Sequence, residues 1–570
     1  MAGGRYPDGV FDYKALVTGG YHFVDKTMMV KDICDADGSV LLYTRPRRFG
    51  KSINLSMLDY YFNIDFKDGP DLFEGTMVGS CEECERHRNA YQVIRMDFSS
   101  LSSSPDTFEN SLRSMVSRVS RDIRLNRSKS LDEDGMEALE RYSDKGLEGP
   151  ELDCSIAGMC GVLERACGNR AIVLVDEYDH CFQDMRSEDD HDYLIERMRA
   201  FMEQTFKVNR HLRTGVVTGI MPLAKAGMLS SFNNPVVCDI FSTRGQDSFG
   251  FTEDEVEGLL SRSGNDLPGV MEEIREWYDG YRFGDVEAYN PCSVMKYLDS
   301  RSRGDSNPAR KYWDGSTGGG LSPRLISGLD GIALQELKDL YERPGSKIRT
   351  VLERFVSYPD LFLRDSDPGL AYSYLAMAGY LRADPTGEFT GDEDELYDVG
   401  MVNREIAPAF KSLVARASER GKAVILHLKE HIMSGDADAI RDDLQFVLAG
   451  HAMDRGWSDC GRDAHDRYKN VISATLRACG MEASEEIPKG FGACDIYIPG
   501  KGREASVVME IKTSSVSVPE TSADVAYRQI VDKGYASEPL DGGTVWVALG
   551  INGKKVSVMT PRGFSKTGVR

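Results

Sequence analysis

Gly50, Lys51 and Ser52 stand in a row after the polar, proline-containing turn that opens at Arg45. These are the residue types that hold a phosphate chain. Main-chain N–H groups at a helix start curl around the phosphates, a lysine ammonium reaches the β and γ oxygens, and a serine hydroxyl supports Mg²⁺. The first glycine of the usual G-x-x-x-x-G-K-S pattern is absent, and Arg45 occupies its position. Farther along, the apolar run of AIVLVDEYD leads into Asp176 and Glu177. Paired acids at the end of a hydrophobic strand place one carboxylate near Mg²⁺ and let the next polarise an attacking water. Thr218, at the end of the following apolar run, is placed to contact the γ-phosphate or that water. Asp97 ends the run before Asp176, where it serves either the site or a turn. Arg47 and Arg48 lie inside the loop, where they hold phosphate, support the loop or face solvent.

Chemistry at these positions needs a scaffold. VLLYT at 40–44 predicts a strand, RPRRFGKS a turn, and Ile53, Met57 and Tyr61 a helix with one apolar face. VIRMDF (93–98), AIVLVDE (171–177) and TGVVTGI (214–220) read as buried parallel strands. Between them, Phe108, Leu112, Met115, Val116, Val119 and Ile123 share one helical face, as do Leu194, Ile195, Met198, Phe201 and Met202. Strands alternating with helices imply an α/β fold with a parallel sheet covered on both sides, over residues 1–250. Residues 251–345 read as a helical lid region, in which Asn290 and Pro291 open a helix running through Leu298. Residues 346–440 read as a helical or winged-helix-like module. The last region, 441–570, predicts a helix over 468–479, strands DIYIPG and SVVMEIKT around a KGRE turn, a helix near 523–536 and a strand GTVWVALG.

The whole chain has 570 residues and a formal charge of −22, with 41% hydrophobic and 28% charged residues. That composition is globular, too large for one core, and unlike a protein that coats DNA nonspecifically. A local basic groove remains compatible with the charge. Basic clusters occur at Arg45, Arg47, Arg48 and Lys51, at Arg121–Lys129 and at Lys554–Arg570, the last two reading equally as solvated surface. With no apolar stretch near the roughly 18 residues of a membrane span and no secretory leader pattern, the expectation is cytoplasmic. The twelve scattered cysteines then read as reduced thiols. Cys81, Cys84 and His87 have the spacing of half a zinc site but lack a second pair to close it.

Several longer segments resemble the AAA-ATPase-like family: FVDKT at 23–27, TRPRRFGKS at 44–52, VLVDEYD at 173–179, FGFTEDEV at 249–256, and WYDGYRFG at 277–284 with YNP at 289–291. AGYLRA and VNREI are also similar to it. In that family the loop is written RPRRFGK followed by Ser or Thr, so Arg45 is a family trait. The resemblance implies ATP as ligand, bound through Gly50, Lys51 and Ser52; the candidate contact set also includes Arg47, Arg48 and Phe49 of the loop and Thr218. It implies Mg²⁺ support from Ser52 and Asp176, with Glu177 as the activator of water.

The resemblance also implies a C-terminal α/β, restriction-endonuclease-like domain of the PD-(D/E)xK nuclease type. Asp495, fourteen intervening residues and then Glu510-Ile511-Lys512 fit its D…E-x-K layout. Two carboxylates, Asp495 and Glu510, hold Mg²⁺, and Lys512 orients the hydrolytic water. A hairpin delivers this, because Glu510 and Lys512 share a strand face with period two. Gln529 and Tyr535 resemble a motif that some such nucleases use beside the site. On the opening helix, His465 stands where the family's glutamate is expected, with Asp463 and Asp466 nearby. Either an aspartate substitutes, or the domain is a decayed nuclease kept for binding. The implied function is an ATP-driven enzyme acting on nucleic acid, with a homo-oligomer possible. The alternative is a nucleotide-dependent switch whose nuclease-like domain binds DNA or protein without cutting.

Overall fold

The computed structural model describes residues 4–127, 130–144, 146–183, 188–222, 235–265, 267–313, 325–326, 329, 331–356, 367–391, 393–449, 462–500, 505–514, 518–535, 544–552 and 555–565. The KGRE turn (501–504) and the Gly/Ser-rich segment at 316–322 lie outside these residues, as do Lys554 and 566–570. The chain forms two compact units. One comprises Met1–Ser322, Asp339–Pro359 and Tyr372–Lys411, and the other Pro323–Lys338, Asp360–Ala371 and Ser412–Arg570.

The first unit is built on five strands: β1 (Val40–Thr44), β2 (Val93–Asp97), β3 (Ala171–Asp176), β4 (Leu212–Gly219) and β5 (Val236–Cys238). Their order is β2-β3-β4-β1-β5 and every pairing is parallel. All side chains of β1 and β3 are buried. Since neighbouring side chains point to opposite faces, both faces of those strands are covered. Helix α1 (Lys51–Phe62) turns Leu55, Met57, Leu58, Tyr61 and Phe62 inward and packs on β2, β3 and β4. α2 (Pro105–Arg127) lies on β2, α3 (Ser155–Cys167) lies on β3, and α4 (Glu188–Phe206) packs against α2 and α3. The four strands read from hydropathy thus occur within a residue or two of the expected bounds. The short β5 was not anticipated; its three residues carry too little pattern.

Beyond β5, α5 (Glu253–Ser263) starts at a capping box in which Thr252 and Glu255 bond each other's main-chain N–H. α6 (Val270–Tyr278) follows, then a small hairpin, β6 (Tyr281–Phe283) with β7 (Val286–Ala288). α7 (Pro291–Ser302) is capped as expected, Asn290 accepting from Cys292 N and Ser293 N. The region read as helical therefore also holds a hairpin, and the next contains an antiparallel sheet of β8 (Lys347–Val351), β9 (Leu381–Phe389) and β10 (Glu395–Met401), ordered β8-β10-β9. YSYLAMAGYLR, a single run in the sequence, divides at Gly379 (φ 84°) between a helix (Pro368–Met377) and β9. A long helix, α8 (Ala407–Ser434), comes next.

In the second unit, α9 (Ala437–Ala449) and α10 (Arg462–Ala478) precede β11 (Ser484–Lys489), β12 (Gly492–Ile498) and β13 (Ser506–Thr513). Then come α11 (Pro519–Asp532), β14 (Thr544–Asn552), β15 (Lys555–Thr560) and β16 (Gly563–Ser565). The six strands run in sequence order, antiparallel except for the β13–β14 pair. α11 is the crossover joining those two parallel strands. Its close approach uses Gly550, where a Cβ would fall 1.8 Å from Pro519 O. Tyr468, Ile472 and Leu476 of α10 fill a core with Ile496, Met509, Ile511 and Leu549. Among the described residues, no helix is long and apolar enough to cross a membrane.

Candidate functional site

The chemistry-bearing residues of the first unit gather at the C-terminal edge of the parallel sheet, where β1, β3 and β4 end. The turn after β1 carries Arg48 at φ 70° and Gly50 at φ 86°. Gly50 begins α1 without any side-chain cap, so the first N–H groups of the helix are left to other partners. A Cβ at Gly50 has space, but its backbone lies in the region that favours glycine. Lys51 is buried, and its Nζ donates to Arg45 O and Pro46 O, both at 2.9 Å. Burial pushes the Lys51 ammonium below its ordinary value, while Glu177, Asp176 and Asp179 pull it upward. Ser52 follows, half-buried, on the first turn of α1.

The acids sit on the far side of β4. Asp176 is buried at the end of β3, where its Oδ1 accepts from Thr218 Oγ1 at 2.6 Å and from Glu177 N at 3.1 Å. Thr218 belongs to β4, which lies between β3 and β1, so strand order brings together residues 42 apart in sequence. Glu177 adopts φ 51°, its side chain is half-exposed, and His180 Nδ1 lies 3.5 Å from its Oε2. Asp97 pairs with Asp176 in register, but its carboxylate accepts from Ser99 N at 2.9 Å. It is a turn cap.

Three neighbours were not read as functional from the sequence. Asp179 is fully buried and accepts from Ile220 N (2.9 Å) and Met221 N (3.2 Å), tying the exit of β4 to the acidic turn. Gly219 permits this approach, since a Cβ there would lie 2.8 Å from Asp179 Oδ1. The acidic end of VLVDEYD was a visible signal for Asp179; nothing local marked Gly219. Arg45 turns away from the loop mouth, buried, and donates to Thr44 O, Cys238 O and Gly245 O at 2.8, 2.7 and 2.9 Å. Its guanidinium also lies over the Phe283 ring, and burial lowers its pKa to about 10. The arginine in the glycine position is thus a buried clamp between β1 and the segment after β5. Phe49 is likewise buried, edge-on to Tyr281 and Phe283. Arg48 reaches outward, Nη1 donating to Tyr312 O at 2.7 Å. Tyr312 N and Trp313 N in turn donate to the buried Glu405 at 2.7 and 2.6 Å. Arg47 is half-buried and close enough to Lys51 to oppose its charge.

The second unit gathers its residues where β12 and β13 run side by side. Ile511 N donates to Asp495 Oδ2 at 2.7 Å. Glu510 is fully buried, its Oε1 accepting from Lys512 Nζ at 2.6 Å and its Oε2 having no hydrogen-bond partner. Burial and the nearby Asp495 charge push Glu510 up to about 7. Asp495 goes the other way. Burial opposes its ionisation, but hydrogen bonds from His465 and Ile511 N outweigh that and hold it below the usual range. His465 Nε2 stands 3.2 Å from Asp495 Oδ2 and 3.1 Å from Ile511 O, and the Asp495 bond holds the imidazole above its ordinary value. Asp466 is engaged by Lys469 at 3.1 Å; the side chain of Asp463 lies outside the described residues. Gln529 Nε2 reaches Tyr535 OH at 3.5 Å, and Tyr535 OH donates to Ala493 O on β12.

Elsewhere, His87 faces Tyr91 OH and Arg86, not the thiols, while Cys81 and Cys84 sulfurs meet at 3.2 Å. Every described cysteine is a free thiol. Among the described residues, no group of three His, Cys, Asp or Glu side chains stands assembled to hold a metal ion.

Residues 7–229 match the family model described as "Predicted AAA-ATPase", a span that contains β1 through β4. Over 320 residues the chain is 24% identical to a protein of Azotobacter chroococcum mcd 1, described as "Uncharacterized protein in vnfD 5'region". The alignment covers 55% of this chain and 54% of that protein, so the chain spans about half the length of the curated relative it matches. The family match, together with a parallel sheet ending in a lysine-bearing loop, supports an AAA-ATPase-like, ATP-binding first unit.

Proposed function

We propose that the chain hydrolyses ATP at the C-terminal edge of its parallel sheet and couples this to a nuclease-like site on the hairpin of β12 and β13. The observation that carries the first part is the burial of the Lys51 ammonium against two loop carbonyls, with the charges of Asp176, Glu177 and Asp179 acting on it. A buried cation beside the uncapped start of α1 suits an anionic phosphate chain. Lys51 exchanges its carbonyl partners for phosphate oxygens. Gly50 leaves the main-chain N–H groups of α1 accessible, and Ser52 and Asp176 supply oxygens for Mg²⁺, which offsets phosphate charge when bound. Thr218 fixes the Asp176 carboxylate, and Glu177, half-exposed beside His180, orients and deprotonates water.

On the hairpin, Asp495, Glu510 and the Ile511 carbonyl would hold a divalent cation, which lowers the pKa of water when bound. The fully buried Glu510 carboxyl beside a second carboxylate supports a cation there. Lys512 and Gln529 then orient water and substrate phosphate. A second reading, a switch whose second unit binds nucleic acid or protein without cutting, draws on His465 and Lys512. In the arrangement seen, each of the two acids already has a basic side-chain partner.

One panel separates these readings: wild type, Lys51→Ala and Asp495→Ala, each assayed for ATP turnover and for cutting of single- and double-stranded DNA and RNA with Mg²⁺ or Mn²⁺. Loss of turnover only in Lys51→Ala, and of cutting in Asp495→Ala, is expected. Turnover that survives Lys51→Ala refutes the first part. Absence of cutting by the wild type favours the switch.

A further inference from the structure

We propose that Arg48 is a positioning residue for the phosphate loop and that Glu405 sets it in turn through one peptide group, a role that rests on the nucleotide-binding reading of this loop. Arg48 has φ 70°, a conformation that a residue with a side chain keeps only where its surroundings impose it. Left-handed residues within a turn gather main-chain N–H groups into an anion-binding concavity, and Gly50 at φ 86° is the second such residue of the loop. Glycine adopts that backbone freely, whereas Arg48 needs an anchor. The anchor is Tyr312 O, which accepts from Arg48 Nη1 at 2.7 Å.

The peptide that carries this carbonyl is held from its other side. Trp313 N, the opposite polar end of the same peptide group, donates to Glu405 Oε1 at 2.6 Å. The peptide is trans, so its C=O and N–H point in opposite directions. Arg48 and Glu405 therefore grip one rigid plate from two sides, and each bond polarises the other. Tyr312 N (2.7 Å) and Ser293 Oγ (3.0 Å) also donate to Oε1, so a single buried carboxylate oxygen fixes where the Tyr312 carbonyl faces. Burial raises the Glu405 pKa, while these bonds and the Arg48 charge favour its ionised form.

The segments WYDGYRFG, YNP and VNREI take no part in the chemistry proposed above, yet they build this support. Asn290 caps the helix that brings Ser293 to Glu405. Asn403 Nδ2 donates to Asp279 O at 2.6 Å, and a Cβ on Gly280 would fall 2.0 Å from Val402 O. The stretch bearing Glu405 thus lies directly on WYDGYRFG, whose Tyr281 and Phe283 pack edge-on to Phe49, the neighbour of Arg48 in the loop. Were Arg48 a phosphate ligand instead, its guanidinium would have to leave Tyr312, and Glu405 would have no hold on nucleotide affinity.

The test is a fluorescent-nucleotide titration of the full chain carrying Arg48→Met, Arg48→Gly or Glu405→Ala, with Lys51→Ala as the control for the site. Arg48→Met is expected to weaken affinity about tenfold, because a left-handed residue loses its anchor. Arg48→Gly is expected to stay within about threefold of wild type, since glycine holds the same φ without one. A phosphate ligand would be missed equally in both. Glu405→Ala should cost about tenfold alone but less than about twofold when added to Arg48→Met, as two residues acting through one peptide are not additive. Glu405→Gln, which keeps an acceptor oxygen, should restore most of the loss. Equal losses in Arg48→Gly and Arg48→Met, or additive losses in the double variant, overturn the positioning role and leave nucleotide binding standing. A wild type that binds no nucleotide overturns both. Should Glu405→Ala fail to fold, the comparison of glycine with methionine at position 48 decides alone.

Discussion

The two sites treat a lysine and a pair of acids in opposite ways. In the parallel sheet, Lys51 is buried against neutral carbonyls, and its acids stand across β4, with Asp176 held by the Thr218 hydroxyl. In the hairpin, Lys512 lies directly on Glu510, while Asp495 crowds the same carboxyl from the neighbouring strand. In the first arrangement β4 separates the strand leading to the cation from the acid-bearing one, and the proposed phosphate chain with its metal would lie between them. In the second, cation and acid are in direct contact, and the proposed ion would have to enter among the acids. The difference follows from topology. A parallel sheet sets loop ends side by side along one edge, whereas adjacent strands put side chains in direct contact.

The largest test of that contrast is Lys51→Ala. Nucleotide affinity, read by fluorescent-nucleotide titration, is expected to fall about a hundredfold or more, because a charge-assisted contact to phosphate is lost. Asp495→Ala should leave it unchanged; a parallel loss would mean the sites are not separate. Arg45→Met comes next. It leaves three buried carbonyls without their donor and is expected to lower unfolding stability by about 3 kcal/mol in urea titrations. Arg48→Met, altering an exposed side chain, should change stability far less. If Arg48→Met matched Arg45→Met, the division between a buried clamp and an exposed arginine would fail.

Thr218→Val removes one hydrogen bond to Asp176. Turnover is expected to drop about tenfold with nucleotide affinity nearly unchanged. Smallest is a pH effect at a half-buried acid outside both sites. Burial raises Asp279 to about 6, above its ordinary 3.8. Between those values the folded chain holds a proton that the unfolded chain has released, so stability is lost as pH rises through about 6. Asp279→Asn, always neutral, should therefore raise the melting temperature relative to wild type more at pH 8 than at pH 5, which lies inside that window. An equal gain at both pH values would show that charge burial is not the cause.

Local sequence was enough to locate β1 to β4, the loop at Gly50–Ser52 and the hairpin acids, because buried strands are written as apolar runs and a strand end as a change to polar residues. It also placed the Asn290 cap, a signal confined to a few neighbouring residues. It did not reveal β5, the β6–β7 hairpin, or the division of YSYLAMAGYLR. Strands of three residues have almost no periodicity, and a single glycine turn does not interrupt hydropathy.

Other features depend on contacts between distant segments. Arg45 reads as a loop residue beside Arg47 and Arg48, yet its side chain is spent on Cys238 and Gly245, about 200 residues away. Thr218 meets Asp176 only because β4 lies next to β3, and His465 meets Asp495 only because α10 packs against the sheet. Side-chain type and near-neighbour spacing specify what a residue can do. Strand order and helix docking decide which partner it does it with, because those are set by burial summed over the whole core.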